Sequence, residues 1–187
     1  KVDAHLPHQH FGPANALTLA RAAGVAGLAG LMAEASLEPA RAWGVALGAL
    51  VLLALDGLDG RLARARGIVS RFGARFDMEV DAGLILVLAL GLAAHGIVGA
   101  WVVAAGGLRS LFVAAGRLWP ALTRELPPSQ RRRWLCALQV GTLALAFVPA
   151  LAPPLPGAIA LGGLALVALS FAIDIAWLLG QRWRQAI

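Results

Sequence analysis

The chain has 187 residues, of which 59% are hydrophobic and 14% charged, with a mean hydropathy of +0.76. Ordinary soluble domains run nearer half apolar and a quarter charged, so the composition argues against a soluble domain and for a single integral membrane domain over residues 1–187. The net charge of +6 does not point to nucleic acid, because there is no tyrosine and the arginines cluster in short connections, as cytoplasmic loops do.

The polar segment 1–15 carries His5, His8 and His10 and lacks the charged-then-apolar order of a signal peptide. We read it as a juxtamembrane stretch lying at the surface rather than as a histidine metal site. The chain opens Lys-Val-Asp without a methionine, as expected of a processed or trimmed chain. Cys136 is the lone cysteine, so an internal disulfide and a cysteine-cluster metal site are both excluded.

Six apolar stretches follow, at about 17–37, 40–58, 80–95, 97–117, 134–152 and 157–180. A bilayer-crossing helix needs about 20 residues, which predicts an all-α membrane fold of six transmembrane helices. The third stretch reaches that length only if its helix continues backward through Asp81 and Asp77. The second likewise runs on past Leu55 into Asp56, Asp59 and Arg64. Arg61, Arg64, Arg66, Arg71 and Arg75 lie between helices two and three. Arg117, Arg124 and Arg131 to Arg133 lie between four and five, and Arg182 and Arg184 follow six. The opposite connections are poor in arginine, so both termini and the aspartate-bearing loop are expected on the cytoplasmic side. That places the protein as a multi-pass protein of the bacterial inner membrane. The 22 glycines permit close helix packing, but composition alone assigns them no function.

The chemistry is concentrated in DGLDGRLARARGIVSRFGARFDMEVD, Asp56 to Asp81. Asp56 and Asp59 are three apart, and Asp77 and Asp81 are four apart, so each pair shares one helix face. The intervening ARGIVSRFGAR reads as a short loop with Gly67 and Gly73, turning the two helices back on each other. Carboxylates gathered at a membrane boundary cost several kcal/mol each when unpaired. Neighbouring arginines would neutralise them in a purely structural cluster. Divalent cations would do so in a catalytic site, and an all-oxygen donor set suits Mg2+ or Mn2+ rather than zinc. A cation-conducting site is the third reading, although that role places carboxylates near the bilayer midplane.

The same segment resembles the signature of the CDP-alcohol phosphotransferase (phosphatidyltransferase) family, D-x2-D-G-x2-A-R-x8-G-x3-D-x3-D. Asp56, Asp59, Gly60, Ala63, Arg64, Gly73, Asp77 and Asp81 fill it without departure. Pro13-Ala14-Asn15-Ala16-Leu17-Thr18-Leu19-Ala20-Arg21 is similar to the P-N-x-L-T-x-x-R start of that family's first helix, with Ala14 inserted as a departure. The family's six-helix architecture matches the stretch count. The resemblance implies two Mg2+ or Mn2+ ions held by Asp56, Asp59, Asp77 and Asp81 on the donor diphosphate. Asp81 is then the general base for the acceptor hydroxyl, with Asp77 beside it in the catalytic set. Gly60, Ala63, Gly73, Thr18 and Asn15 would surround the CDP moiety, and Arg64 would contact its phosphates. The partners implied are a CDP-alcohol lipid donor, a small alcohol acceptor, membrane lipids and a second copy in a homodimer. The expected reaction moves a phosphate-linked group, phosphatidyl in the simplest case, and releases CMP in phospholipid synthesis.

Outside the signature, Arg109 lies inside an apolar stretch and is the candidate for an acceptor phosphate; Arg117, Arg124 and Arg131 to Arg133 supply further basic groups. These favour glycerol 3-phosphate or another phosphorylated polyol over serine as acceptor. Glu79 falls on a different helix face from the aspartates and reads as a boundary charge. Asp174, inside the last stretch, is expected to pair with Arg21 or Arg109. The other enzyme class with aspartate-rich membrane helices, the intramembrane prenyltransferase, has two widely separated motifs on a longer chain. The compact spacing here counts against it.

Overall fold

The computed structural model describes residues 13–65, 71–108, 111 and 129–184. Among them the secondary structure is helical, without a strand. Helix α1 spans Pro13–Leu31, α2 Pro39–Ala65 and α3 Arg71–Ala94. A 3-10 turn, Ala100–Val102, runs into helical residues 103–108, and α4 (Gln130–Ala146) and α5 (Leu155–Arg184) follow. Pro13 and Pro39 open α1 and α2, where a missing N–H costs nothing and the fixed φ suits the first turn.

Both expected extensions are present. Helix α2 continues well past Leu55 to Ala65, and α3 begins at Arg71, so Asp56, Asp59, Asp77 and Asp81 all lie on helix. One correction follows for Gly73. The sequence places it in a loop, whereas it stands in the first turn of α3. A single glycine costs a helix only about 1 kcal/mol, and the Arg, Ala and Phe residues around it sustain the turn. The fourth expected span, 97–117, is described as helical only through residue 108 and at Leu111.

Helix α1 packs on both α2 and α3, which in turn pack on α4, and α5 closes against α4. The core between them holds Leu28, Val45, Ala49, Leu84, Leu88, Leu92, Leu143 and Phe147. Glycines admit the close contacts. A Cβ on Gly24 would lie 2.6 Å from Leu52 Cδ2, and one on Gly48 would lie 2.8 Å from Leu28 Cδ2, so α1 and α2 interlock leucine over glycine in both directions. The α3 C-terminus is closed by Gly96 at φ +65, with Ile97 N–H donating to the Leu92 carbonyl and Gly96 N–H to that of Ala93. This double bond pattern ends a helix on a left-handed residue. His95 donates from Nε2 to the Met32 carbonyl at 3.1 Å and ties the ends of α1 and α3 together.

Large apolar side chains such as Leu47, Val51, Leu161 and Leu169 face outward, each more than half exposed. The segments Pro39–Gly57 and Leu155–Leu178 are long and apolar enough to cross a membrane. In water such a surface would be an aggregation liability; against lipid it needs no cover.

The tightest glycine contact against backbone is at Gly106, where a Cβ would fall 2.7 Å from Leu86 Cα. Gly106→Ala is expected to lower stability by about 1–3 kcal/mol, since backbone cannot rotate away. Gly107→Ala, which meets nothing within 4 Å, should stay within about 0.5 kcal/mol of the parent. Thermal unfolding of the two variants in detergent micelles measures the difference.

Candidate active site

The site forms where α1, α2 and α3 meet. Asp56 comes from α2, and Asp77 and Asp81, one helical turn apart, come from α3. One carboxylate oxygen from each of the three lies within 4.8 Å of the others. Side-chain exposures of 20%, 36% and 24% leave them open to solvent or to a ligand on one side.

Arg21 of α1 completes the arrangement. Its side chain is 1% exposed, and its Nη1 lies 3.0 Å from Asp56 Oδ1 and donates to Asp77 Oδ1 at 2.5 Å. Nη2 donates to Asp81 Oδ1. One guanidinium thus bridges three carboxylates drawn from two other helices. Thr18, one turn earlier on the same face, is buried, and Asn15, a further turn back, is half-buried. The start of α1 and the aspartate segment therefore converge on one place.

Arg21 is the site residue that sequence reasoning missed. The sequence places it in the α1 motif and offers it to Asp174 as a partner, not to the signature. The signal was available: a lone arginine inside the apolar stretch 17–37 needs an anion, and the chain's densest group of anions is Asp56 to Asp81. Asp174 is a correction in the same sense. It pairs with Arg131, and Arg132 Nη1 stands 3.6 Å from its Oδ2, so the expected pairing with Arg21 is not formed. Arg109, the other expected partner and the candidate acceptor residue, lies outside the described residues, as do His5, His8, His10, Arg117 and Arg124. Asp59, Gly60, Ala63 and Arg64 stand on the last turns of α2, with side chains outside the described residues. Gly73 is half-buried on α3, four residues before Asp77, and Glu79 is exposed, away from the cluster.

The donor set fits a hard divalent cation. Three carboxylate oxygens within 4.8 Å of one another, with no histidine or cysteine among them, suit Mg2+ or Mn2+ and disfavour zinc. Asp56 lies in the second half of α2, and Asp77 and Asp81 lie in the first half of α3, so the cluster stands toward the connection that joins the two helices.

The sequence model of the CDP-alcohol phosphatidyltransferase family matches residues 11–176, a region holding the α1 motif, all four signature aspartates and Asp174. The chain belongs to the CDP-alcohol phosphatidyltransferase family. No curated protein matches it. Membership makes it a transferase of the class that moves a phosphate-linked group from a CDP-alcohol, and the family is one of membrane proteins that are typically dependent on divalent metal. The prenyltransferase and transporter readings are thereby set aside.

Asp174 is 8% exposed, and its carboxylate serves Arg131 at the start of α4. Asp174→Asn should therefore lower stability by about 1–3 kcal/mol, the usual worth of a partly buried charged hydrogen bond. Unfolding of the detergent-solubilised protein measures this. An unchanged melting temperature would show that the α4–α5 pair contributes nothing.

Proposed function

We propose that this phosphatidyltransferase is a multi-pass enzyme of the bacterial inner membrane that transfers a phosphatidyl group from CDP-diacylglycerol to a phosphorylated polyol, glycerol 3-phosphate first among them, and releases CMP. The observation that carries the reading is the convergence of Asp56 from α2 with Asp77 and Asp81 from α3 in a chain of this family. Six crossings with both termini cytoplasmic are supported by the arginine-rich connections on one side and their scarcity on the other.

In this reading Asp56, Asp59, Asp77 and Asp81 hold two divalent ions. Bound there, such ions neutralise the donor diphosphate and stabilise charge on the attacking and leaving oxygens. Asp81 accepts the proton of the acceptor hydroxyl through a carboxylate oxygen. The acceptor oxygen then bonds to the phosphorus bearing the lipid group, and the bond from that phosphorus to the oxygen of CMP breaks, the electron pair leaving with CMP. Asp77 orients the pair from one turn away. Gly60, Ala63, Gly73, Thr18 and Asn15 surround the nucleotide, and Arg64 meets its phosphates. Positioning and charge stabilisation supply most of the rate, as in phosphoryl transfer generally. The phosphorylated acceptor is favoured by the basic residues Arg109, Arg117, Arg124 and Arg133, part of which binds its phosphate while the rest meets lipid headgroups, whereas Arg131 and Arg132 meet Asp174. A homodimer through the membrane helices completes the assembly we expect.

Purified protein supplied with CDP-diacylglycerol, Mg2+ and a panel of alcohols should release CMP with a phosphorylated polyol and far less with serine. Asp81→Asn should reduce that rate by about 10²–10⁴-fold, the usual contribution of a general base. Chelation of divalent metal should abolish it. CMP release that is unaffected by chelation or by Asp77→Asn would sink the mechanism, and release with serine alone would sink the acceptor assignment.

A further inference from the structure

Arg21 and a bound cation would draw on the same three carboxylates. The guanidinium takes Oδ1 of Asp56, Oδ1 of Asp77 and Oδ1 of Asp81. Those residues are also the ones whose oxygens are grouped closely enough to ligate one ion. Their three negative charges against the single positive charge of Arg21 leave a net of −2, which one divalent ion neutralises. The four signature aspartates together carry four negative charges, so divalent ions loaded onto them would compete with Arg21 for its contacts.

Burial makes the arginine a fixed component rather than a passing surface partner. At 1% exposure its charge needs an anion at all times, and the three carboxylates provide it while no metal is present. Without such a cation the carboxylates would repel one another and draw α2 and α3 apart at their ends.

We propose that Arg21 is an internal counter-cation of the metal centre. It keeps Asp56, Asp77 and Asp81 gathered in the metal-free protein, competes with divalent ions for their Oδ1 atoms, and gives up at least one of these contacts as metal loads. The inference rests on the metal-dependent reading above. Arg21 is thus a positioning residue that acts through the aspartates. Its role has a sign that a purely structural role lacks: removing a scaffold residue weakens metal binding, whereas removing a competitor strengthens it.

The test is Mn2+ binding by the full chain in lipid nanodiscs, without substrate, read as the loss of the free-ion paramagnetic resonance signal. Arg21→Gln should bind Mn2+ at least about tenfold more tightly than the parent, a change of one decade in Kd. Arg21→Lys, which keeps the charge as a compact ammonium without the planar fork, should fall between them. The metal-free melting temperature of Arg21→Gln should lie below the parent's and rise further on adding Mn2+. Equal or weaker Mn2+ binding by Arg21→Gln overturns the competition while leaving the metal-dependent mechanism intact. Should Arg21→Gln fail to fold, Arg21→Lys decides by the same criterion. Absence of Mn2+ binding by parent and variants alike overturns the metal-dependent reading and this inference with it.

Discussion

Asp56, Asp77 and Asp81 bring three negative charges within 4.8 Å of one another, and everything at this end of the bundle is arranged around that repulsion. Two unit charges 4 Å apart repel by about 4 kcal/mol at an effective dielectric of 20. Two such pairs, Asp56 with Asp77 and Asp56 with Asp81, oppose the meeting of α2 and α3, a third lies within α3, and three attractive contacts from Arg21 oppose the repulsion in turn. The two sets are of comparable size, so one arginine holds the carboxylates together without quenching their charge. The residual negative charge is what makes the place attractive to a divalent ion.

This constraint explains why the helices are built as they are. Helices α2 and α3 run beyond their apolar stretches, to Ala65 and from Arg71, because the aspartates must be carried on rigid backbone for their oxygens to converge. Helix α1 must come close enough for Arg21 to reach both neighbours. The Gly24–Leu52 and Gly48–Leu28 contacts set its distance from α2. At the far end, the left-handed Gly96 and the His95–Met32 bond join α3 to α1. Packing thus fixes three helices at one end so that charge can be concentrated at the other.

The second ionic group follows the same rule with the signs reversed. Asp174, buried on α5, is met by Arg131 and Arg132 at the beginning of α4. A charge on a helix interior requires a partner across the helix interface, and among the described residues the two buried charges, Arg21 and Asp174, each find it on another helix. The first group forms the candidate site, while the second joins α4 to α5.

Much of this was legible in the sequence. The spacing of Asp56, Asp59, Asp77 and Asp81 reports shared helix faces, because residues three or four apart in a helix are neighbours whatever the fold. The same spacing, with Gly60, Ala63, Arg64 and Gly73, carried the family. The apolar stretches located helices α1, α2, α3 and α5 to within several residues, and the need to lengthen the second and third predicted that the aspartates stand on helix. Other features were not legible. Gly73 looked like loop, since local composition cannot register that its neighbours sustain a helix. Gly24, Gly48 and Gly106 looked like composition, because the leucines that fill their space come from other helices. Above all, periodicity along one helix says nothing about distances between helices, and Arg21 stands 35 residues before Asp56 and 60 before Asp81. The sequence by itself determined the family and its class of chemistry, and it pointed to the carboxylates of the candidate site. Only the tertiary structure decided which cation neutralises them, because that choice depends on how closely three separate helices approach.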